Sequence, residues 1–124
     1  MHKAFKAIIV GFEPNLSRER LNIGVVVVVK GHPVRAKMRT SWDRICQAFP
    51  TASASALDHF ARAFEERVNA LGAVPPDALY KYVQKVIGPE LGSIDILNVI
   101  GGVAVEADMT DRLYQIHVAH GDKS

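Results

Sequence analysis

The run Leu21-Asn22-Ile23-Gly24-Val25-Val26-Val27-Val28-Val29-Lys30, with five consecutive valines, constrains this chain more than any other stretch. β-Branched side chains are restricted at χ1 in a helix and fit a pleated surface, so the run predicts a β-strand. Its continuous apolar character predicts cover on both faces. Period two assigns Leu21, Ile23, Val25, Val27 and Val29 to a wholly apolar face and Asn22, Gly24, Val26, Val28 and Lys30 to a mixed one.

Gly31-His32 follows, and then Pro33–Thr40 alternates strictly between apolar and polar residues. Glycine at the first central position suits a two-residue type II′ turn. That turn would pair Lys30 with Pro33, Val29 with Val34, Val27 with Ala36 and Val25 with Met38, so that the apolar faces coincide. On the reverse face Arg35 and Lys37 would lie over Val28 and Val26, their stems on the valines and their charges in water. Pro33 cannot donate to a ladder, which predicts an edge position for this second strand.

The other elements follow from periodicity. Lys3–Phe12 reads as a first strand, with Phe5, Ala7 and Ile9 on one face and Ile8, Val10 and Phe12 on the other. Ser41–Phe49 reads as a short helix capped by Ser41 and stopped by Pro50, with Cys46 on its apolar face. A longer helix carries Leu57, Phe60, Ala61, Phe64, Val68 and Leu71 on one stripe, with a serine of the Thr51–Ser55 link as its cap and Gly72 at its end. Pro75-Pro76-Asp77 opens a further helix with Leu79, Tyr82, Val83, Val86 and Ile87 aligned, ended by Gly88-Pro89. Ser93–Ile100 suits a strand, after which Gly101-Gly102 offers either a tight hairpin into Val103–Glu106 or a bulge. A last helix starts around Asp108–Asp111, with Leu113, Tyr114, Ile116 and Val118 in its body. The order predicts a single α+β domain over residues 1–124. A small antiparallel sheet, three N-terminal strands plus one or two C-terminal ones, packs against three or four helices.

Composition bounds the class. At 124 residues and 48% hydrophobic, the chain can bury a core without staples. A single cysteine, Cys46, fits a reducing compartment, and the start Met-His-Lys-Ala-Phe-Lys lacks a signal-peptide layout. With no apolar run long enough to span a bilayer, the expected location is the cytoplasm, without membrane attachment. Charge is asymmetric: residues 1–49 hold nine Lys/Arg against three Asp/Glu (+6), and residues 50–124 hold six against ten (−4). Such a split either orients a charged partner or lets the two halves meet across the surface.

Candidate chemistry gathers in two places. Glu19, Asn22 and Gly24 mark the entry to the valine strand, beside Arg39 of its hairpin partner. One reading makes Glu19, Asn22 and Arg39 a polar cluster that grips a ligand or partner. The other has Asn22 and Glu19 bonding backbone, with Gly24 allowing another segment to approach closely, the commoner use of such residues. Arg35, Lys37 and Arg39 project from the expected edge strand at about 6–7 Å spacing, able to meet successive phosphates or carboxylates. Arg18, Arg20, Lys30 and Arg44 lie near in sequence. Charges on an edge also guard against strand addition, and aromatic residues for stacking bases are missing. His117 and His120 lack the companions of a metal site, so no metal or cofactor is expected. Phosphate loops, nucleophile elbows and paired carboxylates are missing too, which weighs against an enzyme.

The segment Pro14-Asn15-Leu16-Ser17-Arg18-Glu19-Arg20-Leu21-Asn22-Ile23-Gly24-Val25-Val26 resembles the P-x-x-x-x-E-x-x-N-x-G-V signature of domain-of-unknown-function family 3037. The likeness continues through Arg44–Pro50 and Asp111–Tyr114, although Ser17-Arg18 stands where the family often has Arg-Gly. The resemblance carries no activity with it. Members often lie beside HipA-like kinase genes, which implies an accessory role of toxin–antitoxin or phage-defence type.

The reading that combines these features is a non-enzymatic interaction module that binds a protein partner through Arg18, Glu19, Asn22, Arg35, Lys37 and Arg39. Its alternative is a nucleic-acid-binding regulator or counter-defence inhibitor using the same basic patch. A small enzyme built on Glu19, Asn22 and Arg39 ranks below both, and a homodimer through a sheet edge is compatible with all three.

Overall fold

A computed structural model of the chain describes residues 3–13, 21–87, 94–104 and 109–119. Four strands, β1 (Lys3–Phe12), β2 (Leu21–Val29), β3 (Arg35–Met38) and β4 (Ile94–Ala104), form one antiparallel sheet in the order β3-β2-β1-β4. Helices α1 (Asp43–Ala48), α2 (Ala54–Asn69) and α3 (Leu79–Ile87, entered through a 3₁₀ turn at Pro76–Ala78) cover one face. The last helix, α4 (Thr110–His117), covers the other. The protein is therefore α+β, with β3 at a border of the sheet as the proline predicted.

Two apolar clusters follow from this layering. Ile8, Val10 and Phe12 of β1 join Val26 and Val28 under α1–α3, where Ile45, Leu57, Phe64 and Val83 meet them. Phe5, Ala7 and Ile9 join Val25, Val27 and Val29 under Met109, Leu113 and Val118. β1 thus divides its faces as its alternation predicted, and the valine run is buried on both sides. At roughly 1.5–3 kcal/mol per fully buried valine-sized side chain, this double burial is a dominant favourable term for the fold.

The phase of β2 differs from the expected one at both ends. At its start, Val10 pairs with Gly24 but Gly11 pairs with Asn22, so Ile23 is an extra residue in a β-bulge. Leu21 and Ile23 consequently pack in the α1–α3 cluster, while Val25, Val27 and Val29 face α4. At its end, the Val29 carbonyl accepts from His32 N at 2.9 Å, so Lys30-Gly31, not Gly31-His32, is the centre of the turn. Gly31 takes φ 85° there, a conformation costly for other residues. The ladder beyond the turn pairs Val26 with Ala36 and Gly24 with Met38, one residue away from the expected Val27 with Ala36 and Val25 with Met38. Arg35 and Lys37 now oppose Val27 and Val25 and lie on the α4 side. A one-residue slip always exchanges the two faces of a strand.

Smaller corrections concern the helices and the glycine pair. Trp42, not Ser41, is the N-cap of α1 and gives no side-chain cap bond. Ser53 caps α2 by accepting from Ala56 N, and Cys46 is half-buried. Tyr82, expected in the apolar stripe of its helix, is exposed, as is Ile116 in the body of α4. β4 runs straight through Gly101-Gly102, so those residues form neither hairpin nor bulge. The irregularity lies earlier, where Ile9 pairs with Asn98 and Val10 with Ile96. Arg18, Glu19, Arg20, His120 and the expected helix end at Gly88-Pro89 lie outside the described residues.

Candidate functional site

The two halves of the predicted polar surface have separate fates. Asn22, turned toward α4 by the bulge, donates from Nδ2 to the His117 carbonyl at 2.6 Å. Arg39 is buried, and its Nε donates to the Asn22 carbonyl at 2.8 Å while its Nη2 reaches the Val118 carbonyl at 3.4 Å. His117 and Val118 end α4, whose last carbonyls have no partner within the helix. A cation at that end also meets the negative pole of the helix dipole. Asn22 and Arg39 therefore clamp α4 to the sheet. They do not share a face with Gly24, which lies on the opposite side, where a Cβ would overlap the Met38 sulfur and sit 3.0 Å from the Lys37 carbonyl. Neither Asn22 nor Arg39 is among the residues that line the two depressions along β3, and both side chains bond backbone carbonyls.

Arg35 and Lys37 remain at the surface. Lys37 Nζ pairs with Asp111 at 2.8 Å and lies 4.8 Å from the centre of the Tyr114 ring, so its charge is partly engaged by α4. Arg35 is exposed, and its guanidinium makes no ion pair or hydrogen bond among the described residues. Lys30, at the turn, is likewise exposed.

The border strand itself is closed to strand addition. Along β3, the outward amides of Ala36 and Met38 donate to Asn69 Oδ1 at 2.9 Å and Glu65 Oε1 at 2.7 Å. Val34 N donates to the Gly72 carbonyl at 2.9 Å, and Arg62 donates to the Arg39 carbonyl. Helix α2 and its C-terminal turn thus stand where another strand would add, and the edge is protected by hydrogen bonds as well as by charge. Sequence reading missed Glu65 and Asn69 as edge covers. The signal was faint: two polar residues four apart on the wet side of a helix.

Between the turn, the α2 terminus and the start of α4 lies a groove of about 510 Å³. Val27, Val29 and Met109 of the α4-side cluster, with exposed Pro33, form its apolar floor, and His32 and Arg35 are among its polar lining residues. A second depression of about 360 Å³ continues along β3 and shares Arg35, Asn69 and Thr110 with the first. His32, expected as an ordinary turn residue, is thereby a groove residue. No set of three or more His, Cys, Asp or Glu side chains able to hold a metal occurs among the described residues. Nor is any described helix long and apolar enough to cross a membrane.

No curated protein and no solved structure matches the chain. A family model does: that of a protein of unknown function, DUF3037, matches residues 8–118. The match spans the sheet from Ile8, all three helices of one face and α4 through the clamped Val118. On the length of that match the chain belongs to the DUF3037 family.

Proposed function

We propose that the protein is a non-enzymatic interaction module that binds a protein partner through the cationic border around Lys30, Arg35 and Lys37. The observation that carries this reading is Arg35, an exposed guanidinium with no partner among the described residues, standing beside an apolar-floored groove. Arg with adjacent apolar surface is a recurrent anchor at protein interfaces. The surface is smaller than the one read from the sequence, because Asn22 and Arg39 serve α4. The setting we propose is a toxin–antitoxin or phage-defence system, with this chain accessory to an enzymatic partner.

Co-expression with a candidate partner, followed by size-exclusion chromatography, tests the surface. Lys30→Glu with Arg35→Glu is expected to abolish the complex while circular dichroism and Tm stay unchanged. An undiminished complex removes the surface from consideration. Nucleic acid is the competing reading, and the engagement of Lys37 by Asp111 weakens it. Retention of a DNA or RNA probe with affinity falling steeply with salt would favour it over a protein partner.

A further inference from the structure

We infer that the groove beside Arg35 receives an extended internal segment of the partner that carries an Asp or Glu side chain two positions from an aliphatic one. This rests on the reading that the cationic border binds protein, and it names the chemistry of the occupant. Three features select it.

The floor comes first. Val27, Val29 and Met109 line the base of the groove and exposed Pro33 adds apolar surface beside them, and its volume of about 510 Å³ accepts an aliphatic side chain with adjoining backbone. The rim is cationic and donor-rich. Arg35 presents a guanidinium with no partner among the described residues, and Lys30 is exposed at the adjacent turn. Asn69 accepts from Ala36 through Oδ1, which leaves its amide nitrogen as a donor toward the same groove. A carboxylate is the group that satisfies a planar guanidinium with two parallel hydrogen bonds. The start of α4, where Met109 and Thr110 line the groove, favours the same sign of charge.

The mode of entry follows from β3. Its outward amides at Val34, Ala36 and Met38 are already bonded to Gly72, Asn69 and Glu65, so an incoming chain gains no ladder by lying against it. Recognition has to use side chains. Because depressions lie on both sides of Arg35, the trough is open past it, which suits a segment running through rather than a chain terminus ending there. Alternate side chains of an extended segment stand about 6–7 Å apart on one side, placing an aliphatic group on the valine floor when the carboxylate meets Arg35.

The test is a titration of the ¹⁵N-labelled full chain with the blocked peptide acetyl-Gly-Val-Ser-Glu-Ser-Gly-amide and with its Glu→Gln counterpart. Amide shifts are expected around Val27–Arg35, Asn69 and Met109–Thr110, with the Gln peptide or the Arg35→Gln chain binding about tenfold more weakly. Arg35→Lys should recover only part of that loss, because a lysine cannot make the bidentate contact. Equal binding of the two peptides, shifts centred elsewhere, or no shifts up to about 5 mM, where even the weakest specific contacts register, would each overturn the assignment. Preferential binding of an unblocked peptide through its C-terminal carboxylate would overturn the internal-segment form. If the peptides fail but Lys30→Glu with Arg35→Glu still abolishes a partner complex, the occupant is wrong and the cationic border stands. If the peptides bind as expected but that pair leaves every complex intact, the border reading fails and with it the assignment of a partner segment to the groove.

Discussion

Arg35 and Arg39 lie four residues apart, at the first residue of β3 and just beyond its last, yet one is exposed and the other is 4% exposed. Both belong to the α4 side of the sheet. What separates them is the position of α4 above them. Its C-terminal end lies over Arg39, where bare carbonyls and the negative helix pole accept a guanidinium, whereas its N-terminal end lies near Arg35, and there the free backbone groups are donors. A helix laid antiparallel to its present direction would exchange their roles. The comparison teaches that the same residue type is scaffold or surface according to which end of a helix it meets.

Substitution of the two arginines is the most direct attack on that contrast. Arg39→Ala removes donors from the Asn22 and Val118 carbonyls in a buried setting and should lower stability by about 3 kcal/mol in denaturant unfolding. Arg35→Ala should change stability by less than about 0.5 kcal/mol. Comparable losses at both positions would show that the clamp is not what holds α4.

Gly24→Ala, on the neighbouring strand β2, probes the opposite face of the sheet and should cost about 2 kcal/mol, because the added methyl meets the Met38 sulfur and the Lys37 carbonyl. A silent Gly24→Ala would mean that Met38 moves away freely, and that the glycine is not required for the β2–β3 approach.

Lys37 lies between the two arginines in sequence and in behaviour. Its pair with Asp111 is largely solvent-exposed, so Lys37→Met should cost no more than about 0.5–1 kcal/mol, an effect reduced by salt. A loss as large as that of Arg39→Ala would move Lys37 from the surface into the clamp and shrink the proposed interface to Lys30 and Arg35.

Much of this architecture was legible from residue patterns. The valine run, the alternation of Lys3–Phe12 and the Leu57–Phe64–Val68 stripe each identify an element, because burial imposes period two or 3.6 locally. The candidate surface was legible only in part. Arg35 and Lys37 are where a basic border was expected, but Arg39 and Asn22 are interior supports, and Glu65, Asn69 and His32 emerged from contacts distant in sequence. Side-chain type alone does not distinguish an arginine that holds a helix from one that awaits a partner.

By itself the sequence determined that this chain forms an α+β domain with the valine strand inside and the Pro33 strand at a border, since those follow from periodicity and from a missing donor. It left the phase of β2 and β3 undecided. A one-residue change in the register of β3 against β2, or the insertion of Ile23 as a bulge, costs little locally and yet exchanges the faces of the residues beyond it. Only the tertiary structure resolves that choice, because one arrangement alone puts Met38 above Gly24, Asn22 and Arg39 under the carbonyls of α4, and Arg35 in open water beside the groove.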